Sequence, residues 1–103
     1  MKDTMKILVA LAEPTRLAAL ALLSDSGEHC VCELMDRLGA TQSRMSRHMK
    51  ILKDAGLVTD RRDAQWVRYR RNDQMSSETA TLVDAALAVA LPEGNKQSER
   101  NAA

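Results

Sequence analysis

The amino-acid sequence predicts a mainly α-helical domain that carries one β-hairpin. Apolar residues recur at helical spacing along most of the chain, whereas residues 57–71 form extended runs rich in Val, Thr, Trp and Tyr. The 103 residues suffice for one small domain. Phe is absent and only Trp66 and Tyr69 carry large rings, so the core must be built from Leu, Ala, Val and Met. A core of this kind often gains burial by pairing with a second copy.

Four helices are expected in the first half of the chain. Pro14 is well placed at the first position of a helix, and the SDSGE stretch that follows the second apolar run should end it. Gly39 starts a tight turn, Thr41 is a suitable N-cap, and Gly56 closes the helix after that turn. The predicted helices span residues 2–11, 14–23, 31–38 and 42–55.

In the second half of the chain, the spacing of apolar residues changes from that of a helix to that of a strand. Residues 57–62 and 65–71 predict the two strands of a hairpin, joined at Asp63-Ala64, a turn without the glycine that a tight hairpin favours. A fifth helix is expected from Ser76 or Ser77 to Leu91.

The order of these elements is that of a winged helix-turn-helix, with five helices and a two-stranded wing. In that arrangement the fourth helix enters the DNA major groove and the hairpin touches neighbouring DNA. Residues 1–91 are expected to form this DNA-binding and dimerisation domain, and residues 92–103 a flexible C-terminal tail.

The distribution of charge also favours a DNA partner. Residues 41–71 hold nine Lys or Arg against three acids, although the formal net charge of the whole chain is only +1. The alternative is a solvated charged surface. Candidate DNA contacts on and before the fourth helix are Thr41, Gln42, Ser43, Arg44, Ser46, Arg47, His48 and Lys50, and those on the wing are Arg61, Arg62, Arg68 and Arg70. We expect Trp66 to anchor the wing in the core, with base stacking as the alternative.

Both cysteines lie in the CVC stretch, as Cys30 and Cys32. In a reducing compartment they are expected to be free thiols or ligands, and a pair two residues apart is too close for an ordinary disulfide. Thiolates select soft ions such as As(III), Sb(III), Cd(II), Hg(II) or Cu(I). If both residues were helical their side chains would diverge by about 200°, so binding would unwind the helix start. His29 is a candidate third ligand, with a surface histidine as the alternative.

Three stretches resemble the ArsR/SmtB family of bacterial metal-responsive repressors over about residues 5–91: LAEPTRLAALALL, HCVCELMDRLGATQSRMSRHMKILKDAGLVTDRR and QWVRYR. The resemblance implies a homodimer formed by the first and last helices, bound to an imperfect palindromic double-stranded operator and released by metal.

Within that family, CVC is similar to the motif of the arsenic-sensing branch. The third cysteine common in that branch is replaced by Met35, and the carboxylate and histidine cluster of the last helix is reduced to Asp84. The implied inducer is arsenite at Cys30 and Cys32, with methylarsenite or antimonite close behind. No catalytic cofactor is expected.

Other functions remain open from the sequence. A thiol-based redox-sensing repressor is the nearest, although Glu28 and Glu33 should raise thiol pKa values and so disfavour oxidation. A nonenzymatic interaction module is another. An enzyme is not expected, because no orienting group can be assigned to a Cys and His pair. The sequence shows neither a membrane span nor a signal peptide, so we expect a cytoplasmic protein without a membrane partner.

Overall fold

The computed structural model describes residues 2–90 and contains five helices and a three-stranded antiparallel sheet. The helices are α1 (Lys2–Leu11), α2 (Pro14–Ser26), α3 (Val31–Leu38), α4 (Gln42–Asp54) and α5 (Ser77–Ala90), and the strands are β1 (His29–Cys30), β2 (Val58–Asp63) and β3 (Trp66–Arg71). The predicted winged helix-turn-helix with five helices is confirmed. Leu91 and the predicted tail at residues 92–103 lie outside the described residues.

The core is aliphatic and contains methionine, as the composition requires. Met45, Met49 and Leu52 of α4 are fully buried, so this helix turns its predicted apolar face inward. The other fully buried large side chains are Leu20, Leu23, Leu34, Leu57, Val58 and Val83. They come from α2, α3, α5 and the start of the wing, and they fix α4 against the rest of the domain.

The second helix is longer than predicted. Pro14 occupies its first turn as predicted, and Glu13 caps its N-terminus, since a Glu13 side-chain oxygen accepts the Arg16 N–H at 2.8 Å. The predicted end at residue 23 is wrong, because the helix continues to Ser26 and ends at Gly27, whose φ of 83° favours glycine. Arg71 supports the added turn by donating to Ser24 Oγ at 2.9 Å.

A turn that contains Gly39 joins α3 to α4. Gly39 adopts a left-handed φ of 67°, and its N–H donates to Met35 O at 2.9 Å. Thr41 Oγ1 then accepts the Arg44 N–H at 3.3 Å, which confirms Thr41 as the N-cap of α4. The predicted helix-turn-helix unit is therefore present.

The wing contains one strand more than predicted. The strand order is β1-β3-β2, and β1 pairs antiparallel with β3 in the register His29 with Tyr69 and Cys30 with Arg68. A strand of two residues is too short for an alternation pattern to reveal, so the prediction of a two-stranded wing was incomplete. The hairpin loop is Ala64-Gln65, one residue later than predicted, and Ala64 has a left-handed φ of 57°.

Trp66 does not anchor the core. It begins β3 opposite Asp63 and is 39% exposed, whereas Tyr69 on the other face of the strand is buried. The side chains of β3 alternate between its two faces, and the aromatic residue on the packed side is Tyr69. The prediction for Trp66 was wrong because the strand period, and not ring size, decides which side chain is covered.

Across residues 2–90, no single helix is long and apolar enough to cross a membrane, although α1 and residues 14–25, bent by 93°, pass that length and composition test as a pair.

Candidate DNA interface and thiol site

The N-terminal half of α4 presents polar side chains to solvent. Gln42, Ser43, Arg44 and Arg47 are exposed, and Ser46 is half-buried. Among the described residues, the guanidinium groups of Arg44 and Arg47 form neither an ion pair nor a hydrogen bond. Lys50 is also exposed, and its Nζ lies 3.1 Å from Asp54 Oδ2. Two unpaired arginines beside an N-terminal turn form a surface suited to phosphates and base edges.

The wing arginines differ in how they are paired. Arg61 donates two hydrogen bonds to the Glu28 carboxylate, both at 2.8 Å, and these bonds lower the pKa of the Glu28 carboxyl. Arg68 donates to Asp63 Oδ2 at 2.7 Å. Arg62 and Arg70 are exposed and have no ion pair among residues 2–90. Glu28 lies two residues before Cys30, so the segment that carries the thiols also touches the wing.

His48 is oriented differently from the prediction. Its Nδ1 accepts a hydrogen bond from Arg16 Nη1 at 3.0 Å, and its Nε2 lies 3.9 Å from Glu13 Oε2. Both ring nitrogens therefore face groups of the same subunit. The prediction that His48 lies on the DNA face was wrong. Sequence alone could not find this contact, because Arg16 and His48 are 32 residues apart.

Asp84 of α5 is engaged in the subunit. Arg71 Nη1 donates to Asp84 Oδ1 at 2.7 Å while also donating to Ser24. This carboxylate therefore ties α5 to β3 and α2. No group of three or more His, Cys, Asp or Glu side chains within residues 2–90 is placed to hold a metal ion.

Cys30 and Cys32 meet at the start of α3. The structure joins their Sγ atoms in a disulfide, with Cα atoms 5.2 Å apart, against the expectation of free thiols or ligands. The reason is that Cys30 is not helical: it is the N-cap of α3, with φ −66° and ψ 147°, and its Sγ accepts the Cys32 N–H at 3.2 Å. The extended cap residue turns its side chain toward Cys32. The inference that a shared ligand must unwind the helix was therefore wrong.

His29 is buried and held by Glu33. It is 7% exposed, and its Nδ1 lies 3.3 Å from Glu33 Oε2, which together with the Cys30 N–H lowers the pKa of the Glu33 carboxyl. Nε2 is buried without a hydrogen-bond partner. The alternative of a surface histidine was wrong. His29 pairs with Tyr69, so strand alternation directs it away from Cys30, and the structure does not bring it together with the two sulfurs.

Apolar side chains on the end helices remain uncovered within one subunit. Val9 of α1 is 58% exposed and Val89 of α5 is 79% exposed, and Met5 and Leu8 are also exposed. A groove of about 380 Å³ separates α1 from the end of α4 and is lined by Met5, Val9 and Ile51 among others. An exposed apolar surface of this kind is typical of an association face.

Comparison with known proteins is consistent with these features. The family described as "Bacterial regulatory protein, arsR family" matches residues 13–60, which contain α2, the thiol segment and the helix-turn-helix. The arsenical resistance operon repressor of Escherichia coli K12 is 41% identical over 76 residues, which are 74% of this chain and 65% of that protein. The chain thus spans just under two thirds of that relative. An arsenic resistance transcriptional regulator of Pseudomonas putida KT2440 is 40% identical over 78 residues, 76% of this chain and 68% of the relative.

The chain belongs to the arsR family of bacterial regulatory proteins.

Solved structures support the architecture of this arsR-family chain. The solution structure of a homodimeric winged helix-turn-helix DNA-binding domain from Mycobacterium bovis has a TM-score of 0.72 and 29% identity, and covers 86% of this chain and 79% of that one. The relatives are transcriptional regulators and not enzymes. This arsR-family chain is accordingly a transcriptional regulator with a winged helix-turn-helix DNA-binding domain.

Proposed function

We propose that this protein is a homodimeric transcriptional repressor that leaves its operator when a thiophilic metalloid, foremost arsenite, binds the reduced thiols of Cys30 and Cys32. The observation that carries the proposal is the meeting of the two sulfurs at the N-cap of α3, the helix that leads directly into α4. The arsenical resistance named for the Escherichia coli and Pseudomonas putida relatives supports the choice of inducer.

On the DNA side, we assign α4 to the major groove of an imperfect palindrome. Gln42, Ser43 and Arg44 lie in its first turn, where side chains reach base edges, and Arg47 and Lys50 follow on the exposed side. Thr41 and Ser46 supply further polar groups near the helix start. Arg62 and Arg70 of the wing are available for phosphates at once, whereas Arg61 and Arg68 must first exchange their carboxylate partners.

The dimer is proposed to form through α1 and α5. Among residues 2–90 both helices carry exposed apolar side chains, and the Mycobacterium bovis neighbour is a homodimer. Two copies of α4 related by a twofold axis match the symmetry of a palindromic operator. Since its DNA target lies in the cytoplasm of a bacterial cell, the protein is assigned to that compartment.

The donor set fits a soft ligand that needs two sulfurs from the chain. Thiolates select As(III) and Sb(III) over hard cations. Because His29 projects from the opposite face of β1, the third position of an inorganic arsenite ion is assigned to hydroxide or a cellular thiol, while monomethylated arsenite requires none. Cys30 and Cys32 are therefore the proposed inducer ligands, and methylarsenite and antimonite are the nearest alternatives to arsenite.

Release is proposed to begin with the two contacts that Cys30 already makes. Its Sγ caps α3, and its backbone pairs with Arg68 of β3. A ligand shared by both sulfurs competes for the cap and shifts α3 and the wing relative to α4. The DNA-bound and inducer-bound forms are thus two states with opposite ligand preference.

A titration tests this function. The dimer, kept reduced, is bound to fluorescent operator DNA selected from a random pool, and arsenite, methylarsenite, antimonite, cadmium and zinc are added separately while anisotropy is read. The trivalent arsenicals or antimonite should release the operator from wild type but not from the Cys30→Ser, Cys32→Ser double variant. Equal release from both proteins would exclude the thiol site.

The disulfide favours one second candidate, a redox-sensing repressor. Oxidation of the two thiols forms the Cys30 and Cys32 disulfide and passes two electrons and two protons to an oxidant such as hydrogen peroxide, which becomes water. Release of the operator by peroxide in the absence of metalloid, reversed by a dithiol, would support this function. Unchanged operator binding after complete oxidation would exclude it.

A further inference from the structure

Arg16 is a buried cation at the junction of three helices. It lies in the first turn of α2 and is only 8% exposed. Its guanidinium donates from Nε to Ala10 O at 2.7 Å, from Nη2 to Val9 O at 3.1 Å, and from Nη1 to His48 Nδ1 at 3.0 Å. All three guanidinium nitrogens are therefore used, which a lysine could not reproduce.

The contacts of Arg16 join elements with different tasks. Val9 and Ala10 lie in the last turn of α1, where the carbonyl groups carry the negative end of the helix dipole. His48 lies in the middle of α4, the helix assigned to the major groove. Within residues 2–90, no hydrogen bond or ion pair joins α1 to α4 directly, and the two helices otherwise meet through packing beside the groove that Val9 and Ile51 line.

Glu13 completes the cluster from the loop between α1 and α2. Its Oε1 accepts the Arg16 N–H, and its Oε2 faces His48 Nε2 at 3.9 Å. The imidazole is thus hydrogen-bonded to Arg16 through Nδ1, and the Glu13 carboxylate lies near Nε2 but beyond hydrogen-bond distance. The bond to Arg16 restrains the rotation of α4 about its own axis, because His48 cannot turn without losing it.

We propose that Arg16 is a positioning residue that sets the spacing between operator half-sites by fixing α4 to the dimerisation helix α1. The inference rests on the proposed homodimer. In a dimer built on α1, the separation of the two recognition helices follows from the angle between α1 and α4 in each subunit. A tilt of α4 changes this separation twice, once in each subunit. The buried contact of Arg16 therefore controls which distance between half-sites fits the dimer.

The test compares operators that differ only in spacing. An operator selected by wild type from random DNA is remade with one base pair added or removed at its centre, and the three affinities are measured at fixed salt. His48→Leu removes the acceptor of Arg16 Nη1, and His48→Gln restores one. Arg16→Lys keeps the charge and loses the three-way contact. Arg47→Met, on the exposed side of α4, is the matched control.

His48→Leu and Arg16→Lys should reduce the preference for the original spacing by about fivefold or more, while His48→Gln largely keeps it. Arg47→Met should weaken binding equally at all three spacings. An unchanged spacing preference in folded, dimeric His48→Leu would overturn the proposal. Loss of fold in both His48→Leu and Arg16→Lys, seen by circular dichroism, would assign Arg16 a purely structural role and also overturn it.

Failure of the proposed function and failure of the proposed role of Arg16 give different results. If wild type is monomeric or binds no selected DNA, the proposed function fails before spacing can be compared. If wild type binds as a dimer and discriminates spacing while the variants discriminate equally well, only the role of Arg16 is refuted.

Discussion

Replacing Glu28 by Gln should tighten operator binding. In the free protein the Glu28 carboxylate holds Arg61 through two hydrogen bonds of 2.8 Å, and Arg68 and Arg70 lie near enough to lower its pKa as well. A DNA phosphate that approaches the wing must displace this carboxylate from Arg61. Gln removes both the competing acceptor charge and its repulsion of the phosphate, so part of the cost of DNA binding disappears.

The size of the effect follows from the exposure of the pair. Arg61 is more than half exposed, so its attraction to Glu28 is that of a surface ion pair, and the expected gain in operator affinity is about twofold to fivefold for each subunit of the bound dimer. Arg61→Gln should have the opposite effect. It removes one phosphate contact from each subunit of the proposed dimer, so it should reduce the dependence of log affinity on log salt by about 1.8. Anisotropy titrations at several salt concentrations measure both quantities.

A double-mutant cycle decides whether Arg61 mediates the effect. Glu28→Gln should tighten binding much less in the Arg61→Gln background than in wild type. Glu78→Gln, which removes the same charge from the first turn of α5, is the control and should leave affinity nearly unchanged. If Glu28→Gln does not tighten binding, or tightens it equally without Arg61, the Glu28 carboxylate does not compete with DNA for Arg61.

Three further outcomes are expected. Trp66 is the chain's one tryptophan and is partly exposed on the wing, so operator DNA should change its fluorescence and protect it from iodide quenching; unchanged quenching would remove the wing from the interface. Leu20→Ala should lower the free energy of unfolding by about 2–5 kcal/mol in urea denaturation, because Leu20 is fully buried; a loss below about 1 kcal/mol would mean that its site collapses. His29 and the Cys30 N–H lower the pKa of Glu33 below 4.5, so its stabilising contribution is complete above that pH and is lost as the pH falls through the lowered pKa. The stability difference between wild type and Glu33→Gln should therefore be larger at pH 7 than at pH 3, and a difference independent of pH would contradict this assignment.

The helices of this fold were predictable because each carries a local signal. Thr41 and Gly39 punctuate the helix-turn-helix through an N-cap side chain and a left-handed backbone, and both effects are decided within a few residues. The end of α2 was missed because Arg71, far along the chain, stabilises the turn that contains Ser24. Strand β1 was missed because its two residues are defined only by pairing with β3.

The site residues also divide into those placed by local signals and those placed by distant contacts. The periodicity of α4 placed Arg44 and Arg47 outside and Met45 inside, since a helix of known start fixes which residues face the core. The orientation of His48 and the pairing of Arg61 with Glu28 depend on residues more than 30 positions away. Whether the two sulfurs can meet depends on whether Cys30 is the first residue of α3 or its N-cap. These two possibilities differ by one residue, and a helix end predicted from sequence is not that precise.

If inducer and operator bind opposite states of one protein, each must weaken the binding of the other by the same factor, and this linkage can be measured. The affinity of the reduced dimer for arsenite is measured by titration with and without saturating operator DNA. Operator should weaken arsenite binding by the same factor by which arsenite weakens operator binding, and arsenite should no longer weaken operator binding in the Cys30→Ser, Cys32→Ser variant. Equal arsenite affinity with and without operator would show that the two ligands do not select opposite states.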